Sequence, residues 1–154
     1  MPNIKQLNNK ESKEIILYFK EFGINLKETR FEIAKDKIDL LISNKRALGF
    51  YYNQKLYPSL RTILEYNLNL PNIYLDLGAI PFITKGADLM KPGIKELENF
   101  DKGQLVIMCD AIHKKALALG IAEFNSNEIK TMEKGKVIKT IHYIGDSIWN
   151  YGNK

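Results

Sequence analysis

Short apolar runs punctuated by glycine dominate the second half of this chain. Ile73–Leu77, Leu105–Cys109, Ala116–Phe124 and Val137–Ile144 are each of strand length, and the last is rich in β-branched residues. Gly86, Gly93 and Gly103 stand in the gap between the first two, and Gly145 ends the last. Buried strands at this spacing, joined by glycine turns, predict a small barrel. Gly120 falls inside one run, which predicts a bulge or a close backbone approach. A short helix is expected over Gly78–Lys85, with Pro81 in its first turn, where a missing amide does little harm.

The first half carries different signals. Ile15, Phe19 and Phe22 recur at helical spacing, and Gly23 supplies a stop, so a helix is predicted over Lys10–Phe22. Strands are expected over Arg30–Lys35, Ile38–Ser43 and Arg46–Tyr52, with Ser43-Asn44-Lys45 as a hairpin turn. In the last of these, Leu48, Phe50 and Tyr52 share one face, which turns Tyr51 outward. Pro58 is expected to open a second helix with Leu60, Ile63 and Leu64 facing inward. Leu70-Pro71-Asn72 breaks that helix and marks a boundary between residues 1–72 and 73–154.

With 154 residues and 45% hydrophobic content, the chain has room for one domain or two small ones. No apolar run approaches 18 residues and no secretory leader is visible, so no membrane partner is expected. Cys109 is the single cysteine, which excludes an internal disulfide and a cysteine-based zinc site and fits a reducing compartment. The net charge of +5 permits an anionic partner without demanding one. Residues 1–72 hold 12 Lys/Arg against 8 Asp/Glu, whereas residues 73–154 hold 11 against 10. An anion bound by the second half would therefore need a local site.

One local candidate is Gly86-Ala87-Asp88-Leu89-Met90-Lys91-Pro92-Gly93-Ile94, flanked by Lys85. Glycines allow close backbone approach, exposed amides of such a loop can point at an anion, and Lys85 and Lys91 favour negative charge. The alternative is a structural turn that closes the barrel. The spacing is not that of the nucleotide P-loop, which ends in Gly-Lys-Ser/Thr. A second candidate is the stretch from Lys45 to Arg61. It contains Lys45, Arg46, Lys55 and Arg61 with no acidic residue, and Phe50, Tyr51, Tyr52 and Tyr57 lie among them. Basic charge tracks a nucleic-acid backbone and aromatic faces stack on unpaired bases. Its alternative is a solvated hairpin with core aromatics.

Several motifs together resemble a PUA domain, the RNA-binding pseudobarrel of pseudouridine synthases and archaeosine transglycosylases. They are Gly78-Ala79, the Gly86–Ile94 loop, Lys102-Gly103, Ala118–Gly120 and His142-Tyr143-Ile144-Gly145-Asp146-Ser147-Ile148-Trp149. Leu56-Tyr57-Pro58-Ser59-Leu60-Arg61, Leu70-Pro71 and Asp76-Leu77-Gly78-Ala79-Ile80 extend the likeness. Together they resemble the translation factor family of malignant T-cell amplified sequence 1 and the N-terminal part of ligatin. The resemblance implies an α+β fold, a pre-PUA domain over 1–72 packed on a PUA pseudobarrel over 73–154. It marks Lys85, Gly86, Ala87, Lys91, Pro92 and Gly93 as RNA-binding residues, with Lys139 and His142 beside them. Gln104 stands where PUA domains often carry an acidic residue, which puts a turn bond in question.

Other residues read as structural. His113-Lys114-Lys115 is expected in an exposed turn, Trp149 as packing that pins the end of the barrel, and Cys109 as a buried apolar residue. Asp76, Asp88, Asp110 and Asp146 sit where carboxylates cap helices and turns. Two separated histidines and one cysteine make no recognisable metal set, and no nucleophile motif or paired-carboxylate spacing is present. The expectation is a cytoplasmic, non-enzymatic RNA-binding protein without cofactor or metal. The resemblance implies a role in translation initiation, reinitiation or ribosome recycling. Its partners would be structured RNA (tRNA or rRNA), the small ribosomal subunit and a separate translation factor. The alternatives are an accessory RNA-binding subunit for an RNA-modification enzyme and a protein-interaction module.

Overall fold

Positive backbone angles at Asn44 and Lys45 (φ 51° and 63°) and at Asn53 and Gln54 (48° and 65°) mark a pair of two-residue hairpin turns. Turns of this hand match the twist of the strands they join, and asparagine tolerates the left-handed region better than most residues. A computed structural model describes residues 3–152. The chain divides into two units, Met1–Leu68 with Ser147–Lys154, and Asn69–Asp146. Residues from Ser147 thus fall with the first unit, and Ile148 among them is buried, only 1% exposed.

The first unit is a five-stranded antiparallel sheet in sequence order. Its strands are β1 (Asn3–Gln6), β2 (Glu32–Lys35), β3 (Leu40–Ser43), β4 (Arg46–Tyr52) and β5 (Lys55–Pro58). Helix α1 (Asn9–Glu21) starts at a capping box. The Asn8 side chain accepts from the Glu11 amide at 2.8 Å, and the Glu11 carboxylate accepts from the Asn8 amide at 3.1 Å. The Asn8 amide bond holds the Glu11 carboxyl below the ordinary carboxylate range. Gly23, at φ 92°, closes the helix with amide bonds from Ile24 to Phe19 and from Gly23 to Lys20. Phe19 from α1 joins Ile24, Phe31, Leu41, Leu48 and Leu56 in one buried cluster. Burying each such side chain contributes about 1.5–3 kcal/mol.

Four sequence expectations change here. Pro58 ends β5 instead of opening a helix; Ser59 is the cap of α2 (Leu60–Glu65), accepting from the Thr62 amide. Leu60 and Ile63 are buried as expected, but Leu64 is 50% exposed. Asn67, just past the Tyr66 cap, closes the helix: its left-handed φ of 51° allows the Leu68 amide to reach Ile63, so no proline is needed to stop it. Tyr51 also faces inward. Leu41 pairs with Gly49 but Ile42 with Ala47, so Leu48 is a bulge. A bulge shifts the alternation by one residue. Tyr51 and Leu48 accordingly both join the cluster around Phe19, and burial pushes the Tyr51 hydroxyl pKa up. Gly49 sits between them because a Cβ there would lie 2.6 Å from the Tyr57 carbonyl oxygen.

The second unit is a six-stranded sheet. In chain order its strands are β6 (Asn72–Leu75), β7 (Leu89–Met90), β8 (Ile94–Leu97), β9 (Leu105–Asp110), β10 (Ala116–Ala122) and β11 (Lys136–Tyr143). Their spatial order is β7-β11-β10-β9-β6-β8, with β6 and β9 parallel. The connectivity dictates the shape. β7 and β8 occupy opposite edges, which in a flat sheet would lie about 24 Å apart. Only Lys91-Pro92-Gly93 separates them in sequence, and that link spans at most about 15 Å. The sheet must curl into a near-closed barrel, as expected, and Lys91–Gly93 is its seam. Ile73, Leu75, Val106, Met108, Val137 and Ile138 fill the interior, with Ile83 from α3 (Ile80–Ile83) and Ile129 from α4 (Ser126–Thr131). Gly120 lies at a register shift against β11, and a Cβ there would come within 2.3 Å of Ile138 Cγ2. The bulge and the close approach expected at this glycine are both present. Gln104 supplies a turn bond through its amide, the Asp101 amide donating to its Oε1 at 3.0 Å.

Candidate functional site

The Gly86–Ile94 loop divides into two parts. In the first, Gly86 terminates α3. It adopts φ 96°, its amide donates to Ile83, and the Ala87 amide donates to Phe82, the paired bonds of a glycine helix cap. The Thr84 and Lys85 amides are likewise taken up by Ile80 and Phe82. The expected cradle of amides for an anion is therefore not formed, because helix termination consumes those donors. A Cβ on Gly86 would also lie 3.1 Å from the Tyr143 ring.

The second part is the barrel seam. The Lys91 amide donates to Gly135 and the Asp76 amide donates to Gly93, each at 2.8 Å. The Lys91 ammonium donates to the Met132 carbonyl at 2.8 Å, where α4 ends. A cation at that position offsets the partial negative charge of the helix terminus. A Cβ on Gly93 would lie 2.9 Å from that of Ala79, so Gly93 is a packing glycine. Lys91 and Gly93 thus hold the barrel together, which leaves Lys85, Ala87 and Pro92 as the exposed members of the expected site.

Two further candidates move. His142 is fully buried, at 0% exposure, and its Nδ1 lies 2.8 Å from Asp146 Oδ2, so its ring is not on the surface. Strand β11 points it inward, an orientation that a β-rich run alone does not reveal. Lys139 is partly exposed but lies 3.5 Å from Asp88 Oδ1. Asp88 is a local organiser. The Thr140 amide donates to it at 3.0 Å, and Lys136 approaches it at 3.7 Å. Lys136 also pairs with Glu123 at 3.1 Å, which raises its pKa.

Beside the loop lies a cleft of about 380 Å³, lined by Ala79, Phe82, Ala87, Met90, Pro92 and their neighbours. Phe82 is 66% exposed and Met90 49% exposed, an unusual display of apolar surface at one place. Sequence reading missed both residues. They sit in a four-residue helix and a two-residue strand, too short to show a periodicity that would separate inward from outward positions.

The Lys45–Arg61 stretch divides as well. Tyr51 and Lys55 line a cleft against α1, with Tyr18 and Ile15. Lys45, Arg46 and Arg61 line another, together with Glu65, Trp149 and Tyr151. Glu65 pairs with Arg46 at 2.8 and 3.4 Å, and that bond raises the guanidinium pKa. Arg61 lies over Trp149, its Cζ 3.8 Å from the ring centroid. Trp149, expected at the end of the barrel, packs on Arg61 in the first unit. Cys109 is buried, its thiol pushed up to about 11 chiefly by desolvation. His113 is in an exposed turn, as expected, its amide donating to Asp110. Among the described residues, no group of three or more His, Cys, Asp or Glu is placed to hold a metal ion, and no helix is long and apolar enough to cross a membrane.

Residues 71–144 match the PUA domain family. The chain is 37% identical to an uncharacterized protein of Methanocaldococcus jannaschii, over 92% of this chain and 90% of that one. It is 32% identical to translation machinery-associated protein 20 of Saccharomyces cerevisiae, over 81% and 74% of the two chains. The chain belongs to the translation machinery-associated protein 20 family. Within this likeness it is also 30% identical to the malignant T-cell-amplified sequence 1 homolog of Dictyostelium discoideum, over 75% and 67% of the two chains. The resemblance first carried by the motifs is thus borne out, and the barrel is a PUA domain. Solved relatives share the α+β fold. A conserved PUA domain protein from Thermoplasma acidophilum superposes with a TM-score of 0.76 at 25% identity, over 96% of this chain and 98% of that one. A PUA domain from Aeropyrum pernix K1, solved as a tartrate complex, gives 0.81 at 21% identity over 100% and 94%.

Proposed function

We propose that this family member is a non-enzymatic RNA-binding protein of translation, acting in the cytoplasm at the small ribosomal subunit or on tRNA. The observation that carries the reading is the cleft beside Phe82 and Met90 on the PUA barrel. Its apolar floor suits the face of an unpaired base, Phe82 offers an exposed ring for stacking, and Lys85, at the end of the same short helical segment, supplies an exposed cation. Ala87 and Pro92 complete the contact surface, while Gly86, Lys91 and Gly93 set its shape. The likeness to translation machinery-associated protein 20 supports the connection to translation. A separate translation factor is the expected protein partner.

The same apolar lining favours a second reading, a cleft for an apolar peptide segment. Fluorescence anisotropy of labelled tRNA and rRNA fragments, measured from low to physiological salt, separates the two. RNA binding that weakens in Phe82→Ala and in Lys85→Glu supports the first. No binding at low salt by the unaltered protein would sink it.

A further inference from the structure

We propose that the cleft formed by Lys45, Arg46, Arg61 and Trp149 in the first unit is a separate contact site for the phosphodiester backbone of RNA. This rests on the RNA-binding reading above but concerns a different unit and a different chemistry, charge in place of an apolar floor. The cleft has a volume of about 550 Å³, within the range of ligand-sized clefts. Arg61 is held from two directions. Its guanidinium stacks 3.8 Å from the Trp149 ring centroid, and its Nε donates to the Trp149 carbonyl at 3.1 Å. Its two terminal nitrogens make no hydrogen bond to another described residue. A planar guanidinium fixed in this way keeps its paired outer donors for a phosphate and has less rotamer freedom to lose on binding.

The neighbouring charges support a strand and not a single small anion. Lys45 is exposed on the left-handed turn between β3 and β4 and makes no ion pair among the described residues. Arg46 follows it and is steadied by Glu65. One carboxylate therefore answers three cations lining the same cleft. The returning chain fixes the far wall. Ile148 is buried, and Gly152 lies so close to Lys45 that a Cβ would come within 2.4 Å of its carbonyl oxygen. Successive cations along an open cleft match successive phosphates.

Trp149 is the single tryptophan of the chain, so its emission reports on this cleft alone. The experiment follows labelled RNA by anisotropy and Trp149 by intrinsic fluorescence in the same titration. The expected result is a change in Trp149 emission on binding. Lys45→Glu and Arg61→Gln should each weaken affinity about tenfold and make the salt dependence shallower by about one phosphate contact. Lys45 is exposed, so its variant remains informative if Arg61→Gln unfolds. RNA binding with unchanged Trp149 emission and unchanged Lys45→Glu affinity would overturn this site and leave the PUA reading intact. Absence of any binding at low salt would overturn both.

Discussion

Arg61 and Trp149, 88 residues apart in sequence, form one stacked and hydrogen-bonded pair. The pair ties residues after the barrel back to the first unit. Trp149→Ala should lower stability by about 2 kcal/mol, because it removes a partly buried aromatic and the stacking partner of a cation. Urea denaturation followed by circular dichroism measures this. Trp149→Phe should recover more than half of the loss.

Glycines with different surroundings should respond differently to the same substitution. Gly120→Ala pushes a methyl group into Ile138 and the Lys139 carbonyl and should cost about 2–3 kcal/mol. Gly103 has nothing within 4 Å of an added Cβ, but its φ is 85°. Gly103→Ala should therefore cost only about 1 kcal/mol, from backbone strain alone. Thermal denaturation of the two variants side by side checks the ordering.

The lysines of the loop should separate by function. Lys85 is exposed, so Lys85→Glu should leave the melting temperature unchanged and weaken RNA binding about threefold to tenfold. Lys91→Met removes the bond to Met132 and the charge at the end of α4. It should lower stability by about 1 kcal/mol. Equal effects of both variants on stability would contradict this division.

Cys109 sets an alkaline limit. Its thiol ionises near 9.0 when free and is held up to about 11 in the fold. The folded state therefore keeps a proton that the unfolded chain has lost, and stability falls as pH rises from 9 towards 11. The loss should reach roughly 1 kcal/mol by pH 10. Tyr18, Tyr51, Tyr57 and Tyr66, all raised by burial, add to it at higher pH. Stability measured at pH 8 and pH 10 should show a smaller drop in Cys109→Ala than in the unaltered protein.

The barrel was legible because its strands are contiguous apolar runs with glycine between them, and because Gly120 sits in the middle of one. Helix α1 was legible for a similar reason, a periodic apolar face and a glycine stop. Strands β1, β5, β7 and β8 were not foreseen. They have at most four residues each, and pairing across the sheet stabilises them more than their own composition does. Tyr51 was misplaced because a single bulge at Leu48 reverses every face beyond it.

At the candidate site the limits are similar. The sequence by itself determined where the chain turns, since glycine, asparagine and proline act through their own backbone preferences. It also determined which segments are apolar enough to be buried. Only the tertiary structure decided which charges are available. Lys91 and Lys139 resemble Lys85 and Lys45 in sequence, yet the first two are taken up by Met132 and Asp88. A cation becomes a ligand contact or a structural bond according to the acceptor that folding brings beside it, and those acceptors come from elements distant along the chain.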